Sequence, residues 1–241
     1  MDKKDLPFIG HLEELRIRII VSLVVLIIGT ICFFPFSNYI LKILKLPLAG
    51  LIEKLAFFSP QEAFMSYLKI AVFSSLMISM PLILYQAWAF ISPAIEPSIK
   101  KYLVPFILFS LTSFMLGCLF AYFLLLPAAL KFLLRFGERE LEPIISIGKY
   151  VSFVIAIIFC TGLVFEMPLL SFILSKGGIV NYKFLRKRFK YAILVIFIIA
   201  AAITPTPDVF NMTLLAIPML ILYEVSIWVS FLTGPRQAKE K

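Results

Sequence analysis

The chain has 241 residues, of which 61% are hydrophobic and only 15% charged, with a mean hydropathy of +1.01. A water-soluble domain needs more charge than this to cover its surface, so the composition excludes that class and points to a membrane protein. The net charge of +9 does not indicate nucleic acid, because the cations lie between apolar runs, where they control topology.

In chain order, Met1 to Gly10 carries charges and Pro7, and the apolar run after it lacks a small-residue cleavage site. That run is therefore expected to stay in place as a helix and not to be removed as a signal peptide. The first span is predicted at 18–36. Residues 37–67 mix Lys42, Lys45, Pro47, Gly50, Glu53, Lys54 and Pro60 with short apolar clusters, the pattern of one or two interfacial amphipathic helices in the first external loop. A second span is predicted at 67–91, kinked at Pro81 where a backbone hydrogen bond is lost. After a polar connection with Pro93 and Pro97, the third span runs over 102–127, with helix continuing toward Phe136. Gly137 to Lys149 is polar. The fourth span, 150–175, contains Glu166 and Pro168 and ends before Gly177 and Gly178.

The segment from Lys176 to Lys190 is the most basic, with Arg186, Lys187 and Arg188 at its centre. Beyond it, Thr204, Pro205, Thr206, Pro207 and Asp208 require a tight turn, since paired prolines and a charge cannot continue a lipid-exposed helix. This divides the last apolar stretch into a fifth span at 191–203 and a sixth at 209–232, both read as short. The fifth, about 13 residues or near 20 Å, calls for snorkelling flanks or a thinned bilayer. The expectation is one all-α membrane domain over 1–241 with six transmembrane helices. Long apolar runs exclude an outer-membrane barrel.

Charge bias sets the orientation. With the N-terminus inside, Lys3, Lys4, Arg16, Arg18, Lys100, Lys101, Lys176, the cations of 183–190 and the basic tail all fall on the cytoplasmic side. The opposite side carries fewer cations, offset by Glu53, Glu62, Glu138, Glu140, Glu142 and Asp208. Positive-inside bias therefore places both termini on the cytoplasmic side.

Polar groups inside the spans are expensive. Glu166 lies about 13 Å from the end of its span, where a carboxylate costs a few kcal/mol or more, on the order of the insertion scales. It faces a wet cavity, a polar partner or a substrate, or it is protonated. Glu224, between Tyr223 and Trp228, reads first as an anchor. Gln86 lies one turn above the cytoplasmic end of its span, where it either lines the same polar face or touches lipid. Glu14 either receives an external Arg or Lys through charge-assisted contacts or pairs with Arg18 four residues on. His11 reads as a cap or surface residue. Asp208 suits the cap of the sixth helix, and the 183–190 cations suit orientation first and lipid headgroups second. Cys32, Cys118 and Cys160 have no ligand spacing and read as apolar filler; with a single histidine, neither a zinc site nor any other cofactor is expected. No nucleophile, base and oxyanion set can be assembled, and no phosphate-binding glycine loop is present.

Several runs, in order and at their spacing, resemble one family over essentially the whole chain. They are His11-Leu12-Glu13-Glu14-Leu15-Arg16, Ser59-Pro60-Gln61-Glu62-Ala63-Phe64, and Pro81 to Gln86 followed by Trp88-Ala89-Phe90. Phe120-Ala121-Tyr122-Phe123, Gly162 to Pro168, Thr204-Pro205, Pro207 to Phe210 and Leu214 to Met219 complete the set. The family is TatC, the six-span core subunit of the twin-arginine protein translocase. The resemblance implies a non-enzymatic receptor for precursors with twin-arginine signal peptides. It also implies a scaffold that moves folded cargo, using the proton-motive force, with single-span TatA and TatB type subunits and further copies of itself. It implies signal-peptide roles for Glu14, Glu96 and Phe90, and roles in translocation or partner contact for Pro47, Gln86, Glu166 and Asp208. The family places a glutamate just before a basic pair in the loop after the second span. Here that position is Ile99, before Lys100 and Lys101, and Glu96 is the nearest carboxylate, so its role depends on whether it substitutes for that glutamate.

Two other readings stand beside this one. In a proton-coupled small-molecule transporter Glu166 would be the proton site, although no related halves are visible. An intramembrane enzyme would need the catalytic set that is missing.

Overall fold

The computed structural model describes residues 8–49, 55–91, 103–135, 144–178, 180–203 and 209–233. Among the described residues the regular structure is helical apart from one isolated β-bridge. The helices are α1 Phe8–Phe33, α2 Ser37–Leu44, α3 Pro60–Ile91, α4 Leu103–Phe120, α5 Leu126–Arg135, α6 Ile147–Phe165, α7 Met167–Lys176, α8 Tyr182–Lys187, α9 Phe189–Ile203 and α10 Val209–Thr233. Five stretches are long and apolar enough to cross a membrane: Leu12–Leu48, Pro60–Ala87, Pro105–Arg135, Ile147–Lys176 and Met212–Thr233. The chain is thus an all-α, multi-pass membrane protein.

This corrects the expected six spans in two respects. The predicted fifth span is α9, an apolar helix of 15 residues that falls short of the length needed for an unmodified bilayer. The last span is not short, because α10 runs 25 residues straight through Pro218. Boundaries also shift. The second span begins at Pro60 and passes through Pro81 as one helix of 32 residues. The third continues through a π-helical turn at Ala121–Leu125 into α5. Pro127 lacks the N–H that would bond one turn back, and the wider turn just before it re-phases the ladder. Of the expected interfacial helices, α2 and a 3₁₀ turn at Leu46–Leu48 are described. Ser37, Leu41, Leu44 and Leu48 are buried at the spacing of one helical face.

The chain divides into two compact units, Met1–Leu41 with Tyr67–Leu111, and Lys42–Ser66 with Thr112–Lys241. In the first, α1 packs on α3. Ser75 on α3 donates to the Leu26 carbonyl at 2.8 Å, and a Cβ at Gly29 would lie 2.2 Å from the Ser75 hydroxyl. Away from this contact, Ile17, Leu23, Ile27, Ile28 and Ile31 are exposed, as expected of a lipid-facing surface.

In the second unit α4 crosses α6 at two glycines. A Cβ on Gly117 would meet the Gly162 Cα at 2.9 Å, and one on Gly162 would meet the Phe114 ring at 2.7 Å and Cys118 Sγ at 2.9 Å. Small residues let helix backbones approach where no hydrophobic force drives them together. Cys118 is buried and its thiol lies 3.8 Å from the Ile158 carbonyl, which agrees with a filler role. Ser171 donates to the Ser226 carbonyl at 2.7 Å, and Ser175 to Ser230 Oγ at 2.6 Å, tying α7 to α10.

The ends of the second unit are fastened by side chains. Tyr122 and Tyr150 donate to the carbonyls of Ile43 and Leu44 at 2.7 and 2.6 Å, satisfying the C-terminus of α2. Ser59 and Glu62 form a capping box: Glu62 N donates to Ser59 Oγ at 3.2 Å, and Phe58 N to Glu62 Oε2 at 2.8 Å. The same carboxylate accepts from Gly148 N at 3.1 Å and from the Ser146 hydroxyl. Ser146 is also the N-cap of α6 and is bridged in parallel to Ala56. One glutamate therefore fixes the starts of two helices. At the opposite end, Glu224 pairs with Arg186 and Tyr223 donates to the Leu185 carbonyl at 3.0 Å, so Glu224 is the anchor its position suggested.

Two substitutions probe these contacts. Gly162→Leu forces α4 and α6 apart and is expected to destabilise the protein by about 1–3 kcal/mol, the usual range for overpacking, seen as a lower Tm in detergent. Glu62→Ala is expected to lower Tm and to speed proteolysis in the 55–59 segment, whereas Glu62→Gln, which keeps one acceptor, gives a smaller loss. Equal Tm for both variants and the parent would remove the carboxylate from this role.

Candidate functional site

The first unit brings together three of the residues singled out in the sequence. Glu14 and Arg18 lie one turn apart on α1 and form an ion pair, with side chains 27% and 21% exposed. Arg18 also donates from Nη1 to Gln86 Oε1 on α3 at 3.2 Å. Its guanidinium thus joins two helices 68 residues apart in sequence. Ser22, the next turn of α1, returns its hydroxyl to the Arg18 carbonyl at 3.0 Å. Below this polar cluster α1 and α3 enclose a groove of about 440 Å³, whose walls include Arg18, Ser22, Leu26, Ile83, Gln86 and Phe90. Its lining is almost wholly apolar apart from the Arg18–Gln86 end.

The local pairing of Glu14 with Arg18, one of the two alternatives for Glu14, is what the structure shows. The link from Arg18 to Gln86 was not anticipated. Its signal was present, since both residues sit at the same end of adjacent predicted spans, but nothing local ties positions so far apart. The chemistry of the cluster is plain. A half-buried carboxylate at the rim of an apolar groove suits a cation attached to an apolar segment, with guanidinium bound more strongly than ammonium because its planar fork can meet both oxygens.

Pro47 and Glu166 belong to the second unit. Pro47 opens the 3₁₀ turn after α2, where the following Leu48 is 1% exposed. Glu166 stands at the break between α6 and α7 and is 5% exposed. Its N–H donates to the Leu163 carbonyl at 3.1 Å and its carbonyl accepts from Leu170 N at 3.0 Å. Pro168 in the first turn of α7 cannot donate backward, which accounts for the interruption. Ser113 donates to the adjacent Phe165 carbonyl at 2.7 Å. Glu96 and Asp208 lie outside the described residues, as does the connection holding Ile99. Among the described residues no group of three or more His, Cys, Asp or Glu is placed to hold a metal ion.

Comparison with known proteins agrees with the architecture. The family profile described as Sec-independent protein translocase protein (TatC) matches residues 10–218. The protein of that name from Carboxydothermus hydrogenoformans is 42% identical over 237 residues, covering 98% of both chains. The one from Aquifex aeolicus is 41% identical over 239 residues, again covering 98% of both. A crystal structure of the twin arginine translocase receptor TatC superposes with a TM-score of 0.86 at 40% identity, over 92% of this chain and 99% of that one. A second crystal structure of that receptor, in DDM, gives 0.82 at 40% identity over 93% and 100%. With a matched profile over most of its length, relatives above 40% identity end to end and the same helical arrangement in solved structures, this chain belongs to the TatC family of Sec-independent protein translocase proteins.

Proposed function

We propose that the chain is the receptor and core scaffold of a twin-arginine translocase, a non-catalytic subunit through which folded precursors cross the cytoplasmic membrane at the expense of the proton-motive force. The observation that carries this reading is the Glu14–Arg18–Gln86 cluster at the end of an apolar groove. A twin-arginine signal peptide offers a pair of guanidinium groups followed by an apolar stretch. The cluster and groove offer the two complementary chemistries in the same order. Within this reading Glu96 supplies a second carboxylate and Phe90, on the groove wall, contacts the peptide. Pro47, Gln86, Glu166 and Asp208 serve translocation or contact with single-span TatA and TatB type subunits, and several copies of the chain work together.

The same reading assigns six crossings. The five long stretches are joined by α9, whose 15 residues reach about 22 Å at 1.5 Å each against a hydrocarbon core of about 30 Å. Support comes from the cation and ring cluster at its start. The Arg188 guanidinium lies 5.6 Å from the rings of both Phe184 and Tyr191, and Lys190 Nζ lies 5.2 Å from that of Tyr191. Cations on aromatic faces suit a membrane–water border, from which they can snorkel while the bilayer thins. An even number of crossings puts both termini on one side, and the positive-inside bias makes it the cytoplasmic side, where a precursor waiting for export arrives.

Removing both proposed carboxylates, Glu14→Ala with Glu96→Ala, is expected to weaken binding of a paired-arginine signal peptide by about tenfold or more, and that of a paired-lysine peptide by less. Titration of the purified chain with both peptides measures this, and equal losses would argue against recognition by a fork. Orientation is checked with Glu13→Cys in a cysteine-free background. A membrane-impermeant maleimide should label it only in opened or inverted vesicles; labelling from the outside of intact cells would reverse the assignment.

A further inference from the structure

We propose that Arg18 is a resident competitor for the cargo's arginines: its guanidinium occupies the Glu14 carboxylate until the signal peptide displaces it, so Arg18 sets both the affinity and the arginine selectivity of the site. This rests on the receptor reading above and names the residue that tunes it.

The argument begins from the geometry of α1. Residues four apart share a helical face, and Arg18 Nη2 reaches Glu14 Oε1 while Nη1 is held by Gln86. Each side chain is only about a quarter exposed, at 27% for Glu14 and 21% for Arg18, and the groove beside them is apolar. The pair is therefore screened less than one in open water, and a ligand must exchange with it rather than merely add to it. Arg16, two residues away on the same helix, is exposed.

Two consequences follow from the shape of the donors. A guanidinium fork engages both oxygens of a carboxylate, and Arg18 already donates to Oε1, so an arginine that binds bidentately competes with Arg18 for that oxygen. An ammonium is a point donor that needs only one oxygen. The resident arginine thus works harder against arginine than against lysine, holding the affinity for true cargo down to a level from which cargo can leave. Once displaced, the Arg18 guanidinium keeps a hydrogen-bond acceptor on Gln86.

The test is a peptide titration on the full chain in nanodiscs, with a paired-arginine peptide and its paired-lysine counterpart, at two salt concentrations. Arg18→Gln is expected to tighten the paired-arginine peptide by about three- to tenfold, the scale of one charge-assisted contact, with a gain of less than about twofold for the lysine peptide. Salt dependence should steepen, since binding then creates an ion pair instead of exchanging one. Arg16→Gln removes the same charge and should shift both peptides alike. If Arg18→Gln does not fold, Arg18→Lys, which keeps the charge but not the fork, should give the same ordering with a smaller gain. Equal tightening of both peptides, no change, or weaker binding by either Arg18 variant at unchanged Tm overturns the competition. Glu14→Gln separates the two levels. If it weakens the arginine peptide while the Arg18 variants do not tighten it, the competitor fails and the receptor stands; if it leaves binding unchanged, both fall.

Discussion

Hydrocarbon offers no hydrogen-bond partner, and most of what distinguishes this structure follows from that constraint. Hydroxyls inside the apolar tracts are returned to the backbone. Ser22, Thr30, Ser74 and Ser226 each donate to the carbonyl one turn back. Where a hydroxyl instead reaches another helix, as Ser75 does to Leu26 and Ser171 to Ser226, it becomes the tie between them. The interior is consequently rich in small polar residues, with Ser66, Ser75, Ser110, Ser175 and Ser230 fully buried, while many of the large aliphatic side chains face outward. This inverts the usual soluble pattern, because lipid, unlike water, carries no penalty for meeting leucine.

Charged groups obey the same rule, and three glutamates are met by polar partners. Glu62 is held by two backbone N–H groups and a serine, Glu224 by Arg186, and Glu14 by Arg18. The first two serve the fold. Glu14 differs in that its partner comes from its own helix and an open groove lies beside it, an arrangement that can be exchanged without unfolding anything. Glu166 is the exception in depth, nearly enclosed at a point where Pro168 has already broken the helix.

Much of the architecture was legible because a bilayer enforces long apolar runs. The apolar tracts and the membrane class follow from periodicity and composition. Boundaries were less so. The charges and prolines of 37–67 drew the start of the second span to Tyr67, although Ser59-Pro60-Gln61-Glu62 carries a capping box that marks the true start at Pro60. The last span was read as short after the turn at 204–208 divided the final apolar stretch, yet its helix runs 25 residues through Pro218 and Glu224. At the site, Glu14, Gln86 and Phe90 were all named from the chain. What no local pattern reveals is that Arg18 and Gln86 meet, or that Glu62 caps a helix 84 residues later through Ser146. Such pairings are properties of packing, and only their spacing from the membrane border hinted at them.

The serine ties between α7 and α10 have a mechanical consequence. Ser171 and Ser175 are four residues apart, as are Ser226 and Ser230, and each engages its counterpart 55 positions on. Like teeth of equal pitch, the two pairs mesh in only one alignment. Sliding either helix along its axis would unmake both contacts, and the next alignment that could remake a serine–serine contact lies four residues, or about 6 Å, away. Smaller axial shifts are thereby opposed by two hydrogen bonds, each contributing about 0.5–1.5 kcal/mol, so α7 and α10 resist being slid past one another.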